Sequence, residues 1–142
     1  MVARSSPPDC RTTPGADLWH AVLQALPEAL VVVDPHGRVV LWNAAAERLF
    51  GYSAQEVLGG GLECIVPERF RGAHDTGFAR AVTSGALRVG GRVLRTRAQP
   101  KDGRKLYVDF CFALQKDDAG QVVAVIATAR DATEAQLKAS PA

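Results

Sequence analysis

The sequence predicts an α+β fold in which one antiparallel sheet of five strands carries short helices over one face. The first observation behind this prediction is a β-branched hairpin at residues 29–33 and 38–42. The second is a group of three strand-like runs, at residues 91–98, 105–114 and 121–128, separated by turn sequences. Capped helical segments and glycines occupy the stretch between them. Antiparallel strands joined by tight turns, with the helices grouped apart from them, are typical of an α+β domain.

The bulk composition is that of one globular domain. The chain has 142 residues, of which 47% are apolar and 23% charged, and its formal net charge is +2. A charge this small, spread along the chain, does not indicate a nucleic-acid partner. No apolar run approaches the roughly 18 residues that a membrane span needs. We therefore expect a single domain with no membrane segment and no nucleic-acid partner.

The N-terminal part of the chain contains two different segments. Residues 1–16 are rich in Pro, Ser and Thr and lack the apolar stretch of a secretory signal, so we expect a flexible tail. Residues 17–28 are expected to form a flanking helix, with Asp17 as its N-cap and Pro27 near its end. The apolar residues of this helix fall on one stripe, formed by Leu18, Val22, Ala25 and Leu26.

The three cysteines, Cys10, Cys64 and Cys111, are widely spaced and form no CxxC motif. We therefore expect neither a disulfide nor a metal site, and the reducing cytoplasm is the natural location. The sequence also lacks nucleophile motifs such as GxSxG and paired metal-ligand spacings. We expect no catalytic residues, so the chain is not expected to be an enzyme.

The first hairpin and the helix that follows it have clear boundary signals. Asp34, Pro35, His36 and Gly37 have the composition of a type I turn closed by glycine. Asn43 is expected to cap the helix AAAERLF. Three further signals follow: Gly51 as a helix stop, Ser53 with Glu56 at capping-box spacing, and Gly85 as the stop of a longer helix that begins near Pro67.

Two runs together resemble PAS domains, the sensory domains of signalling proteins. The run DPHGRVVLWNAAAERLFGYSAQEVLG, residues 34–59, resembles the opening of such a domain. The run ARDATE, residues 129–134, resembles the junction between a PAS domain and its output module. The resemblance implies a PAS sensory domain over residues 29–134, with residues 135–142 starting a linker to a C-terminal output domain. It also implies an input role in a two-component, histidine-kinase-type regulatory protein.

The junction run contains two residues whose roles the resemblance suggests. Asp131 would hold the start of the outgoing helix, and Thr133 would tie that helix to the sheet by hydrogen bonds. The simpler alternative is that Thr133 serves only as a helix N-cap.

The helix after Pro67 carries Phe70, His74 and Phe78 at i, i+4 and i+8, and therefore on one face. Its sequence PERFRGAHDTG resembles the corresponding helix of oxygen-sensing haem PAS domains, in which a histidine ligates the iron. The resemblance implies His74 as a haem ligand and Arg80 as a partner of a haem propionate.

Other positions depart from the haem-binding subgroup. Leu94 stands where that subgroup has the arginine that contacts oxygen, while Arg88 falls at a second propionate position and could still serve there. The rings of Phe110 and Phe112 would crowd a flat macrocycle. Haem is therefore disfavoured. Three roles for His74 remain open: haem ligand, pocket residue for another ligand, and structural histidine bonded to the backbone or to a carboxylate.

The cofactor is accordingly unknown. The Asn-Cys-Arg-Phe-Leu-Gln run of flavin photoreceptors is absent, so flavin is not expected. The resemblance implies a small apolar pocket for a small-molecule ligand between this helix and the sheet. The alternative is a ligand-free interaction module whose core is filled by its own Phe side chains. The expected pocket walls are Ile65, Phe70, His74, Phe78, Leu94, Phe110 and Phe112.

The last strands predict a second apolar face on the sheet. In LYVDFCFAL, residues 106–114, the alternate residues are apolar, and VVAVIAT, residues 122–128, is apolar on both faces. A second apolar face requires a cover, either the flanking helix or a partner subunit. Since PAS domains commonly dimerise through such surfaces, we expect a homodimer through the outer sheet face and the N-terminal helix.

Overall fold

A computed structural model describes residues 15–139, and the expectations for residues 1–14 and 140–142, Cys10 included, lie outside this range. Ten elements follow one another along the described chain. They are α1 (Ala16–Ala25), β1 (Ala29–Val33), β2 (Val39–Trp42), α2 (Ala44–Phe50), α3 (Ala54–Val57), α4 (Glu68–Ser84), β3 (Leu94–Ala98), β4 (Leu106–Lys116), β5 (Val122–Asp131) and α5 (Thr133–Ala139).

The strands form one five-stranded sheet in the order β2-β1-β5-β4-β3, and every neighbouring pair is antiparallel. The last strand in the chain therefore lies in the centre, between β1 and β4. Helices α2, α3 and α4 contact strands of this sheet. The predicted α+β architecture is confirmed.

Several of the local signals for helix ends are also confirmed. The side chain of Asn43 accepts a hydrogen bond from the backbone N–H of Ala46, as a helix N-cap does. Ser53 and Glu56 form a complete capping box. Gly51 ends α2 at a φ of 81°, a left-handed backbone that costs glycine no steric energy.

Several predicted boundaries were wrong, among them the end of the last strand, which runs to Asp131 instead of residue 128. The cap of α1 is Gly15, and Asp17 lies inside the first turn, where its charge favours the positive end of the helix dipole. Helix α1 ends at Ala25, short of residue 28, because the residue before Pro27 avoids helical backbone. Strand β3 begins only at Leu94, since residues 88–91 form a turn and residues 92 and 93 are not in a strand.

The core lies against the face of the sheet that we call the inner face. Cross-strand partners lie on the same face of the sheet, so the register groups the side chains of that face into rows that run across the strands. One inner row is Val33, Val125 and Leu114, and the next is Val31, Ala127 and Phe112. Helix α4 packs loosely on this face, since Ala81 is its only buried residue.

The opposite, outer face of the sheet is apolar as the sequence predicted, and its central row consists of Leu41, Val32, Ile126 and Ala113. Helix α1 packs near the start of α2, and Leu18, Trp19 and Val22 remain 54%, 48% and 40% exposed. Within residues 15–139 no helix combines the length and apolarity of a membrane span.

Candidate functional site

A cavity of about 270 Å³ separates α4 from the inner face of the sheet. Its walls are almost entirely apolar. The floor includes Val31, Val125 and Ala127, and the loop before β3 closes one end with Leu87 and Val89.

The cavity exists because α4 presents small residues to the sheet. Ala73, Gly77 and Ala81 follow one another at i, i+4 and i+8, on one face of the helix, and all three line the cavity. An added Cβ at Gly77 would meet no atom within 4 Å. The sequence displays this face as an A-x₃-G-x₃-A spacing, which the predicted pocket walls do not include.

The first turns of α4 are held to the preceding loop, and its middle approaches the first hairpin. Near the start of the helix, the Arg71 guanidinium donates hydrogen bonds to the carbonyl oxygens of Val66 and Glu63, at 3.1 and 3.0 Å. In the middle, the Phe78 ring approaches the tip of the first hairpin. A Cβ added to Gly37 would lie 3.7 Å from Cε1 of that ring.

His74 lies on the boundary between this cavity and a second, more polar groove of about 360 Å³. The groove is lined by His36, Glu63 and Asp75 among others. The Nδ1 atom of His74 is 3.5 Å from Oδ1 of Asp75, and the side chain is 39% exposed. The imidazole is therefore accessible from both spaces rather than locked in a core.

The other predicted pocket walls are distributed between the cavity and its surroundings. Phe78 and Phe112 line the cavity. Phe110 stacks on Phe112 with ring centroids 5.6 Å apart, one row farther along the sheet, and is not part of the lining. Ile65 is buried in the core cluster beside the cavity.

Two predicted walls are not among the residues that line the cavity. Phe70 is 37% exposed, and the Arg69 guanidinium lies 4.7 Å above its ring, because the first turn of α4 is outside the cavity. Leu94 is 39% exposed at the end of β3, the edge strand. Both residues share a periodicity with cavity residues, and periodicity alone does not tell how far the cavity extends.

Cys64 is half-buried, and burial raises the pKa of its thiol, so the reactive thiolate is disfavoured there. No cluster of His, Cys, Asp and Glu able to hold a metal ion occurs within the described part of the chain.

The junction between β5 and α5 is a compact set of hydrogen bonds. The Thr133 hydroxyl oxygen accepts from the backbone N–H of Tyr107 in β4 at 3.0 Å. Oδ1 of Asp131 accepts from the backbone N–H of Thr133 at 2.9 Å. Burial acts to raise the pKa of Asp131, but hydrogen bonds from Thr133 and the charge of Arg104 outweigh it and lower the pKa. These bonds are the ones that the resemblance implies, while their part in signalling stays a prediction.

A protein-family model described as the PAS fold matches residues 23–137, most of the chain. This chain belongs to the PAS family. The PAS domain is a sensory module, and the residues just described are its α4 cavity and its C-terminal junction.

Among curated proteins, this PAS domain is similar to the oxygen sensor protein DosP of Escherichia coli, with 33% identity over 72% of the chain. It is also similar to the sensor protein FixL of Bradyrhizobium diazoefficiens, with 39% identity over 45% of the chain. In each case the match spans only 13% of the relative. Among solved structures, a PAS domain from Colwellia psychrerythraea is similar in fold. Its TM-score is 0.70 at 21% identity, covering 83% of this chain and 97% of that one.

Haem fits the chemistry of the cavity but not its size. His74, Arg80 and Arg88 all line the same apolar space, as a haem ligand and two propionate partners would. The volume of about 270 Å³ nevertheless falls just below the range of pockets for drug-sized ligands, about 300–1,000 Å³. Phe78 and Phe112 are among the lining residues, so their rings limit the space available to a macrocycle. The cavity in this form therefore fits a smaller ligand.

Proposed function

We propose that this PAS domain is a ligand-responsive input module of a larger, cytoplasmic regulatory protein of the histidine-kinase type. A small molecule in the α4 cavity would be the signal, and α5 would carry the response to an output domain. The cavity between α4 and the sheet is the observation that supports this proposal. A ligand-free interaction module would instead have that space filled by its own side chains.

The weak packing of α4 supports a response to ligand. A 17-residue helix that buries a single residue has few apolar contacts to hold it, so its position is sensitive to what lies beneath it. A ligand that contacts both α4 and the sheet would favour the arrangement in which those contacts are best made.

The central strand β5 provides the route from cavity to junction. Val125 and Ala127 form part of the cavity floor, and the same strand ends at Asp131. Asp131 and Tyr107 both bond to Thr133 at the start of α5. A shift of β5 relative to β4 would therefore change the geometry of the junction directly.

Two glycines of α4 provide a matched test of this coupling. Gly77 lines the cavity and Gly72 does not, while both are helical and have no atom within 4 Å of an added Cβ. Replacing either by Leu raises helix propensity by a similar amount, but only Gly77→Leu fills the cavity. We expect slower amide hydrogen exchange in β5 and α5 for Gly77→Leu alone, and slower exchange in α4 for both variants. If exchange in β5 and α5 is unchanged by Gly77→Leu, the proposed coupling is wrong.

Haem-based gas sensing is the second candidate function. The observation that favours it is that His74, Arg80 and Arg88 line one cavity. Its test is the visible spectrum after incubation with haemin, for the wild type, for His74→Ala and for His20→Ala, which replaces an exposed histidine on α1. A Soret band that is lost only in His74→Ala would establish haem binding, and the spectrum of free haemin in all three proteins would exclude it.

We further propose that the domain acts as a homodimer through the outer sheet face and α1. The exposed residues Leu18, Trp19 and Val22 of α1 and the apolar outer row around Val32 and Ile126 support this proposal. Joining two such surfaces would remove apolar area from water.

A further inference from the structure

The ionisable side chains that line the α4 cavity are all basic. They are His74, Arg80 and Arg88, and neither Asp nor Glu is among the lining residues. The adjacent groove differs, because Glu63 and Asp75 lie there among its basic side chains. The positive character is therefore specific to the cavity rather than common to this side of the molecule.

The guanidinium groups of Arg80 and Arg88 have no ion-pair or hydrogen-bond partner within residues 15–139. Most other arginines of the fold are engaged. Arg38 pairs with Asp34, Arg95 with Asp109, and Arg130 with Glu28, while Arg71 and Arg104 donate to backbone carbonyl oxygens. Two arginines with unused donors at one apolar cavity indicate a site for a group that accepts hydrogen bonds and carries negative charge.

The two arginines reach the cavity from opposite sides of one turn. Arg80 precedes Ala81 near the end of α4, and Arg88 follows the helix stop at Gly85. Both residues are exposed and both line the cavity, so each can contact an apolar ligand with its stem while its guanidinium group stays in contact with water. The negative end of the α4 dipole also lies here. It amounts to roughly half an elementary charge, which is smaller than the two positive charges of the arginines.

We propose that the ligand of this cavity is a small carboxylic acid with an apolar body. The apolar part lies between α4 and the floor of the sheet, and the carboxylate binds Arg80 and Arg88 at the mouth. The inference rests on the proposed function, because it names the chemical class of the ligand that the cavity would sense. At about 30 Å³ per water-sized group, a volume of about 270 Å³ corresponds to on the order of ten non-hydrogen atoms.

Octanoate and 1-octanol are suitable probes, since they share a chain length and differ in charge. We expect calorimetric titration of the wild-type protein to show that octanoate binds roughly tenfold or more tightly than 1-octanol, because hydrogen bonds between charged groups are the strong ones. The Arg80→Gln/Arg88→Gln double variant should lose this preference while still binding 1-octanol. Arg48→Gln, which removes an exposed arginine outside the cavity that has no partner within residues 15–139, should keep it.

The outcomes separate this inference from the proposed function. Equal binding of the two probes, or a preference that persists in the double variant, would overturn the carboxylate assignment and leave a ligand-binding cavity. If neither probe binds the wild-type protein, the proposed sensing of a small ligand fails together with this inference. Gly77→Leu should abolish binding of both probes, and binding that survives in that variant would place them outside the cavity and overturn the assignment.

Discussion

The hydroxyl oxygen of Thr133, at the start of α5, accepts a hydrogen bond of 3.0 Å from the backbone N–H of Tyr107 in β4. On the other side of the same turn, the backbone N–H of Ala132 donates to the carbonyl oxygen of Tyr107 at 2.8 Å. One residue of β4 therefore bonds to both residues at which the chain leaves the sheet. The outgoing helix starts from the sheet itself and not from a free loop.

Replacing Thr133 with Val keeps the shape of the side chain and removes the hydrogen-bond acceptor. We expect a loss of about 1 kcal/mol in the free energy of unfolding and faster amide exchange in α5. Thr133→Ser retains the hydroxyl group and is the control. If α5 exchanges equally fast in the Val variant, the Ser variant and the wild type, the hydrogen bond does not hold the helix.

Asn43 joins four segments through one buried side chain, which is 1% exposed. Its Oδ1 atom accepts from the backbone N–H groups of Leu30 and Ala46, and its Nδ2 atom donates to the carbonyl oxygens of Leu23 and Glu28. Asn43→Ala leaves two buried and two partly buried backbone groups without this partner, so we expect a loss of about 3 kcal/mol in urea unfolding.

A second Asn43 variant separates the helix cap from the attachment of α1. Asn43→Ser can still cap α2, but its short side chain does not reach the carbonyl oxygen of Leu23 in α1. We expect Asn43→Ser to lose less stability than Asn43→Ala. Amide exchange in α1 should increase by the same amount in both variants. Unchanged exchange in α1 would show that Gln24, which accepts from the backbone N–H of Ala44, suffices to hold it.

The stability of the domain should fall in acid because of its paired carboxylates. Hydrogen bonds from Arg95, at 2.7 and 3.0 Å, lower the pKa of Asp109 below its usual value of 3.8. A group whose pKa is lower in the folded state adds stability above the unfolded pKa. This contribution is lost as the pH falls through the folded pKa. We therefore expect the free energy of unfolding to decrease below about pH 4.

The pair of Asp109 and Arg95 can be tested separately from the remaining carboxylates. Asp109→Asn should make the acid dependence shallower in denaturant titrations at a series of pH values. Asp118→Asn is the control, since Asp118 lies in an exposed turn and has no ion-pair partner in the described part of the chain. Equal slopes for Asp109→Asn and the wild type would mean that this pair does not contribute.

Phe78 separates the apolar cavity from the polar groove, and its side chain lines both. Phe78→Ala should join them into one space more than twice the size of the cavity, at a cost of about 2 kcal/mol for a half-buried ring. We expect stronger fluorescence from an added anilinonaphthalene sulfonate probe. Phe70→Ala, which removes an exposed ring outside the cavity, should leave the fluorescence as in the wild type. Equal fluorescence in both variants would contradict the division of the two spaces by Phe78.

The exposed apolar residues of α1 predict that the domain forms a dimer in solution. Trp19→Glu places a charge among Leu18 and Val22, and we expect it to shift sedimentation from dimer to monomer at micromolar concentration. His20→Glu adds the same charge to an exposed polar position of α1 and is the control. A monomeric wild-type protein would exclude the proposed dimer.

Local signals predicted the fold well, because the physical causes lie within a few residues of each other. The turn that ends at Gly37, the cap at Asn43 and the capping box of Ser53 and Glu56 depend on short-range bonds that the sequence displays directly. The bonds from Asn43 to Leu23 and Glu28 join residues 20 and 15 positions apart, and no local pattern contains them.

The cavity was predicted less completely for a related reason. Large apolar residues suggest walls, so the sequence predicts Phe70 and Leu94 as walls although both are exposed. The space itself comes from small residues, Gly77 and Ala127, whose importance depends on which elements face each other. A sequence shows what fills a core more readily than what leaves a gap in it.

Ala29 and Ala129 are cross-strand partners, and the residues beside them, Glu28 and Arg130, form an ion pair. The strand that begins the sheet and the strand that ends it are therefore adjacent, with their ends about 5 Å apart. A segment from residue 28 to residue 132 could be spliced into a short surface loop of another protein without spreading that loop apart.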